Sequence, residues 1–431
     1  MLKKIVLSIL FCAILFSSLS FFAFADGFEP SSDEATLGAY LLYNYENALY
    51  MAEDGADRII SPSATAKMMT ACIVLESGID KDSVITVTKE MLEGVTGRRM
   101  YLEAGDRLTV RDLLYATVCG GYNDAATVLA LSVFSSLSDF IDKMNERAEE
   151  LGMTATFYKN VTGLDDPGAY TCVYDVALLC DHIIGLPDYL EIASTVSYKL
   201  STSSTCDARA VSNRSSIVSS YNGSANLSSG YSEGGYCSVI YYKRGELSFL
   251  CIVMNALPKS DEDVTDHAEY FVRQLIQHAM RDYSHRTVLT RNSVIDSLPV
   301  LYSSTAQKID LYLENDLTLY LPNDVDIASD LAYGTYLFDG QLTAPLRCGD
   351  TVGELVVSHD GKILATIPLT VREDVERSGF LYFLDVIKNY VTSRAFIFSC
   401  LTFACLMLGF YLYKRRKERS IHKNTNRYNK K

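Results

Sequence analysis

Lys67 lies in an apolar run, beside Met68 and Met69 and six residues before Ile73. A lysine in such surroundings is out of place unless something uses it. Ser61-Pro62-Ser63 precedes it and reads as a helix start, with small capping hydroxyls around a proline whose missing N–H costs nothing there. Ser63 and Lys67 are four residues apart, a spacing that can share a helix face, so a hydroxyl nucleophile with its own amine base is one reading. The plainer reading of Ser63 is a helix cap. Three residues before the lysine stands Ala64, which has no side-chain oxygen.

Two further stretches carry polar groups. Gly121-Tyr122-Asn123-Asp124-Ala125-Ala126 turns into a helix of small residues and offers one amide, Asn123; Asn123-Asp124 also suits a helix cap. Ser228-Ser229-Gly230-Tyr231 offers two hydroxyls ahead of an apolar run, and a Ser/Gly-rich surface loop is its plainer reading. No C-x-x-C pair or other ligand spacing points to a metal, and no motif calls for a cofactor.

Together these blocks resemble the D-alanyl-D-alanine carboxypeptidase family of serine D,D-peptidases, the penicillin-binding proteins with a β-lactamase-like fold. Pro62, Lys67 and Thr70 match the family's Pro-Ala-Ser-x-x-Lys-x-x-Thr, with Ala64 at the serine. Asn123-Asp124-Ala125-Ala126 matches the end of Ser-Gly-Asn-Asp-Ala-Ala, with Gly121 at the serine and Tyr122 at the glycine. Ser228-Ser229-Gly230-Tyr231 stands where the family has Lys-Thr-Gly, so a hydroxyl is kept and the cation is lost. Leu151-Gly152-Met153 through Asn160-Val161-Thr162-Gly163-Leu164 and Tyr170-Thr171-Cys172-Val173-Tyr174-Asp175 are two further blocks in family order. The likeness is strong over roughly 35 to 280 and weaker beyond, where Cys348-Gly349-Asp350-Thr351-Val352-Gly353 resembles the family's C-terminal module.

The resemblance implies catalytic-motif remnants at Lys67 and Asn123, a substrate-binding edge at Ser228, Ser229, Gly230 and Tyr231, and an oxyanion hole from the N–H groups of Ala64 and Tyr231. It implies no metal and no cofactor. With all three motifs altered, the expected role is a non-catalytic relative in peptidoglycan metabolism that binds stem peptides at their D-Ala-D-Ala end, or a cell-wall enzyme. The alternatives are an active carboxypeptidase using Ser63 with Lys67 as base, and a surface protein unrelated to peptidoglycan. Lys67, with no serine to serve, is expected to donate to Asn123.

The elements that must position these groups follow from periodicity. Residues 39–43 and 48–51 read as tyrosine-rich strands, and 66–76 as a buried helix. Helices are expected over 109–117, with Thr109 and Asp112 as a capping box, and over 125–131, 137–151, 173–184 and 265–283. Strands 237–242 and 247–254 flank the turn Lys243-Arg244-Gly245-Glu246. After Arg286, short alternating strands at 309–313, 317–321, 335–338, 353–358 and 363–369 make a small β domain. The expected class is α+β: an antiparallel sheet flanked by helices over 26–283, then an all-β domain over 284–372.

Both ends bear on location. Lys3 and Lys4, apolar Ile5 to Phe22 and Ala23-Phe24-Ala25 read as a signal peptide over 1–25, an uncleaved anchor being the other possibility. A linker with an amphipathic stretch is expected over 373–394, a transmembrane helix over 395–413 and a basic cytoplasmic tail over 414–431. Phe380, Phe383, Leu384 and Ile387 would lie on one face, against a membrane surface or as an extension of the span. The net charge is −14, distributed as +8 in the tail, +2 before Asp26 and −24 between, which argues against nucleic acid as a partner. Eight of eleven cysteines fall between signal and span; several sit in apolar runs and read as reduced core thiols rather than a disulfide framework.

Overall fold

The computed structural model describes residues 28–33, 35–201, 209–259, 267–359 and 361–428. The signal-peptide reading and Cys206 lie outside them. The chain forms two compact units, one to His285 with 320–325 added, the other from Arg286 to Leu319 and from Asp326 onward.

In the first unit the sheet is built from β1 (Ala39–Asn44), β2 (Leu49–Asp54), β3 (Ser224–Ser232), β4 (Gly235–Arg244) and β5 (Leu247–Pro258). Their spatial order is β2-β1-β5-β4-β3, all neighbours antiparallel, and Ala35–Thr36 adds to the start of the sheet against Leu257 and Pro258. The central β5 is apolar from Phe249 to Met254 because both its faces are covered. Strands β4 and β5 turn through Gly245, whose φ of +63° a side chain would resist.

Helices surround the sheet: α1 (Ala66–Glu76), α2 (Val110–Val118), α3 (Asn123–Leu131), α4 (Leu137–Glu150), α5 (Val173–Ile184), α6 (Pro187–Ser194) and α7 (His267–Arg281). Every residue of α1 from Met68 to Val74 is buried, as expected of a helix apolar all round. Helix α2 starts on a true capping box, with Thr109 Oγ1 accepting from the Asp112 N–H and Asp112 Oδ2 from the Thr109 N–H, each at 3.0 Å. Helix α4 buries Phe140, Met144 and Ala148, the stripe its spacing predicts. Among the described residues all cysteines are free, and those of this unit are buried.

The second unit holds a six-stranded sheet of β6 (Asp296–Leu301), β7 (Lys308–Leu313), β8 (Leu331–Leu337), β9 (Leu342–Thr343), β10 (Thr351–His359) and β11 (Lys362–Val371), in the order β8-β10-β11-β7-β6-β9. Leu311, Leu313, Leu355, Val357, Leu369 and Val371 fill its core. Residues 373–377, expected as linker, bridge instead to this unit: Leu346 pairs with Val375 and Ser303 with Arg377. Alternation hides such isolated bridges, since only one residue per partner is fixed. Helix α8 (Gly379–Thr392) follows, its backbone breaks into extended geometry at Ser393, and α9 (Arg394–Tyr428) begins anew. The amphipathic stretch is therefore a separate helix and no extension of the next. Within α9, Arg394–Arg415 is long and apolar enough to cross a membrane.

Candidate active site

The sequence blocks meet around Ala64. The chain enters through Pro62, makes a single 3₁₀ turn over Ser63–Thr65, and only then becomes α1. Ser63 has φ +48°, a left-handed value that a serine adopts only when its surroundings impose it. The imposing group is the 160–164 loop. A Cβ placed on Gly163 would lie 1.6 Å from the Ser63 carbonyl oxygen, so loop and turn touch backbone to backbone. Asn160 Oδ1 shapes that loop, accepting from the N–H groups of Thr162 at 3.1 Å and Gly163 at 2.7 Å. Thr70 Oγ1 then pins the loop to α1 through the Val161 carbonyl at 2.9 Å.

This geometry separates Ser63 from Ala64. Ser63 is not a helix cap: it makes no side-chain cap bond, and its buried Oγ has no partner. The positive φ carries its side chain out of the helical phase that an i,i+4 pairing with Lys67 requires. The Ala64 methyl faces β3 instead, where a Cβ on Gly230 would come within 2.5 Å of it. Position 64, not 63, therefore lies between α1 and the sheet edge.

Lys67 donates to the Thr162 carbonyl at 2.5 Å. The expected bond to Asn123 is not formed, and Asn123 donates to a neighbouring loop. Its Nδ2 donates to the Thr96 carbonyl at 2.9 Å and its N–H to the Arg98 carbonyl at 2.8 Å. Neither Asn123 nor Asp124 caps α3, whose N-cap is Tyr122. Asp124 accepts from the N–H groups of Met100 and Leu102, both at 3.1 Å. The pair thus anchors the 96–102 loop, which delivers Arg98 to the site. Arg98 donates from Nε to the Gly120 carbonyl at 2.8 Å, and its guanidinium lies 5.0 Å from the Tyr122 ring centre.

The third wall is β3. Ser228-Ser229-Gly230-Tyr231 is strand, not surface loop: Ser228 and Ser229 are each 5% exposed, and Gly230 pairs with Cys237 of β4. A bulge between Asn226 and Ser228 shifts the register just ahead of the motif, a common device for re-aiming side chains. Asn226 Nδ2 donates to Ser229 Oγ at 3.1 Å and to Asn213 Oδ1 at 2.9 Å. Tyr231 stands exposed, its ring 4.6 Å from that of Tyr236. Gly121, at φ +67°, faces this wall: a Cβ there would lie 3.8 Å from both the Ser229 carbonyl oxygen and Arg214 Cδ.

Arg98 and Arg214 escape a motif-based reading. They are separated in sequence from every matched block, and only folding brings them near Lys67. Burial lowers the Lys67 pKa to about 8; the neighbouring Cys237 thiol opposes the fall, while Arg214 and Arg98 add to it. A minor fraction of Lys67 is therefore neutral near pH 7, and that fraction is able to accept a proton. Among the described residues no carboxylate lies within ion-pair reach of Lys67, Arg98 or Arg214.

One cluster elsewhere has the donor set for a metal. Cys72, Glu76 and His182 converge at the far end of α1. Arg147 already fills it, with Nη2 2.7 Å from Glu76 Oε1 and 3.0 Å from His182 Nε2, and burial pushes the Cys72 thiol up to about 12. A cluster neutralised by its own arginine does not fit an ion.

Comparison with known proteins bears on this geometry. The family model described as "D-alanyl-D-alanine carboxypeptidase" matches residues 26–257, and that described as "Penicillin-binding protein 5, C-terminal domain" matches 283–377. The chain is 25% identical over 388 residues to the D-alanyl-D-alanine carboxypeptidase DacF of Bacillus subtilis, covering 88% of this chain and 97% of that one. It is 28% identical over 378 residues to DacC of Escherichia coli, covering 85% and 90%. Among solved structures, penicillin binding protein 5 from Haemophilus influenzae superposes with a TM-score of 0.58 at 23% identity, over 80% of this chain and 99% of that one.

Proposed function

Since the chain belongs to the D-alanyl-D-alanine carboxypeptidase family, matched over more than half its length, we propose that it is a member that holds peptidoglycan stem peptides by their D-Ala-D-Ala end without cutting them. The observation that carries this reading is Ala64. It occupies the place between α1 and Gly230, and it has no oxygen to acylate. Of the two hydroxyls beside it, that on Ser63 is buried and turned out of phase, and that on Thr65 is buried and bonded to the Pro62 carbonyl. Gly121 supplies no second hydroxyl and Ser228 no cation. What remains suits binding: a strand edge for main-chain pairing at β3 and a polar cleft floor. Loss of a nucleophile alone typically lowers turnover on the order of 10⁶-fold.

The same reading places the α9 segment Arg394–Arg415 in a membrane, with the basic residues after it on the cytoplasmic side and the residues before Arg394 outside. The test is the intact mass of the full chain after exposure to a reactive β-lactam, beside titration with an acylated D-Ala-D-Ala peptide. Binding without an adduct is expected. An adduct on the wild-type chain would instead support a second reading, an active carboxypeptidase, which the lowered pKa of Lys67 favours.

A further inference from the structure

The sheet of the second unit leaves one long edge bare. Strand β8 (Leu331–Leu337) stands at its end, pairing with β10 on one side and, among the described residues, with no strand on the other. The opposite edge is β9, only two residues long, and so short an edge offers little to pair with. Strand β8 has seven residues and lacks the charges and prolines that usually blunt an edge. From Leu331 to Phe338 there is neither, and Tyr333, Tyr336 and Phe338 are 42%, 63% and 63% exposed.

The register fixes which residues turn outward. Phe338 donates its N–H to the Val352 carbonyl at 3.2 Å, so it points toward β10. Along an antiparallel ladder this direction alternates. Ala332, Gly334 and Tyr336 therefore bond to β10, opposite Ser358, Val356 and Glu354, while Tyr333, Thr335 and Leu337 turn their backbone groups away from it. The strand ends in a turn that carries Asp339 off, closed by the Gly340 N–H on the Leu337 carbonyl at 3.1 Å.

We propose that this edge pairs with the same edge of a second copy of the chain, antiparallel and centred on Thr335, to form one continuous sheet across a twofold axis. In that register the edge is its own complement. Thr335 meets Thr335, Tyr333 meets Leu337 and Tyr336 meets Gly334, all favourable cross-strand neighbours. Gly334 already lies under a ring: a Cβ on it would be 3.2 Å from Tyr336 Cε2 of the same strand. Aromatic cover of an edge glycine helps to pin a register. A second copy also suits the charge. The chain carries −14, and this uncharged stretch lets two copies meet where their mutual repulsion is least.

The test uses the full chain in phospholipid vesicles. Thr335→Cys is expected to form an intermolecular disulfide under mild oxidation, because opposed residues of a hydrogen-bonded pair have Cα atoms about 5.5 Å apart, within disulfide reach. Ala332→Cys is the control: residue 332 would face residue 338 of the other copy, which leaves the two introduced thiols roughly 20 Å apart along the pair. Peptide mass mapping identifies the residues joined, so native cysteines do not confuse the result. Thr335→Pro removes an N–H that no bond to β10 uses, so it is expected to fold, as its melting curve checks. It should weaken dimerisation about tenfold or more, by sedimentation in detergent micelles, through the two hydrogen bonds lost across the twofold. A monomeric wild type without a 335–335 link, an equal link in Ala332→Cys, or dimers undiminished in Thr335→Pro overturns the inference.

Discussion

Placing a serine at position 64 tests the site at its centre. Ala64→Ser adds one oxygen where the methyl now faces Gly230, a residue with no side chain to obstruct it. Residues 64 and 67 are one turn apart, so the new hydroxyl lies on the face of the lysine. With the Lys67 pKa at about 8, about 9% of the amine is neutral at pH 7 and about 90% at pH 9. If the neutral amine takes the serine proton, acylation should quicken about tenfold between those pH values. The absolute rate will be low, because Gly121 offers no second hydroxyl, so the ratio is the quantity to compare. The assay is intact mass against time with a reactive β-lactam, for Ala64→Ser and for Ala64→Ser combined with Lys67→Met. A folded Ala64→Ser chain that forms no adduct, or one whose acylation rate is flat from pH 7 to 9, would refute the placement of residue 64 or the role given to Lys67.

Lys67→Met should stabilise the protein by about 3 kcal/mol at pH 7, because folding lowers the lysine pKa from 10.5 to about 8 and so penalises the protonated state. Below pH 8 both folded and unfolded chains carry the proton and the advantage is full; between pH 8 and 10.5 only the unfolded chain keeps it, so the advantage fades, as urea melts at pH 7 and 10 would show. Gly163→Ala should destabilise by more than ~3 kcal/mol, since its Cβ would overlap the Ser63 carbonyl, whereas Gly78→Ala, at a similar φ with nothing within 4 Å, should cost only about 1–2 kcal/mol; thermal melts of the two separate contact from conformation. Thr109→Ala removes one half of the α2 capping box and should cost about 1 kcal/mol by the same measurement.

Much of this arrangement is legible in the chain because it is local. The buried helix at 66–76 and the helix at 173–184 emerge at their expected bounds, since an unbroken apolar run or a 3.6-residue stripe needs no knowledge of partners. The capping box at Thr109 is likewise a matter of four consecutive residues. Ser224–Ser232 reads poorly as a strand because serine and glycine have little β-propensity; its pairing with β4 decides the matter. Ser63 as a cap fails for a related reason: the turn is set by Gly163, a hundred residues away, and no local rule foresees a serine at positive φ. The bond from Lys67 to Thr162 and the approach of Arg98 and Arg214 are long-range in the same sense.

The attachment of α8 to the second unit has a mechanical consequence. Tyr302 holds that helix three ways: its Oη donates to Asp385 at 2.6 Å, its carbonyl accepts from the Ser378 N–H at 2.7 Å, and its ring meets Tyr382 edge-on at 5.5 Å. Residues 303 and 346 clamp the segment just before it. What would otherwise be a slack tether is a stiff outrigger about 20 Å long. Helix α9 is itself a rod, and the two meet at the single extended residue Ser393, which is braced: its Oγ donates to the Tyr390 carbonyl at 2.7 Å and accepts from the Phe396 N–H at 3.2 Å. A β unit mounted in this way has little slack to drift, and torque applied to it would be felt by the rod rather than dissipated along a loose chain.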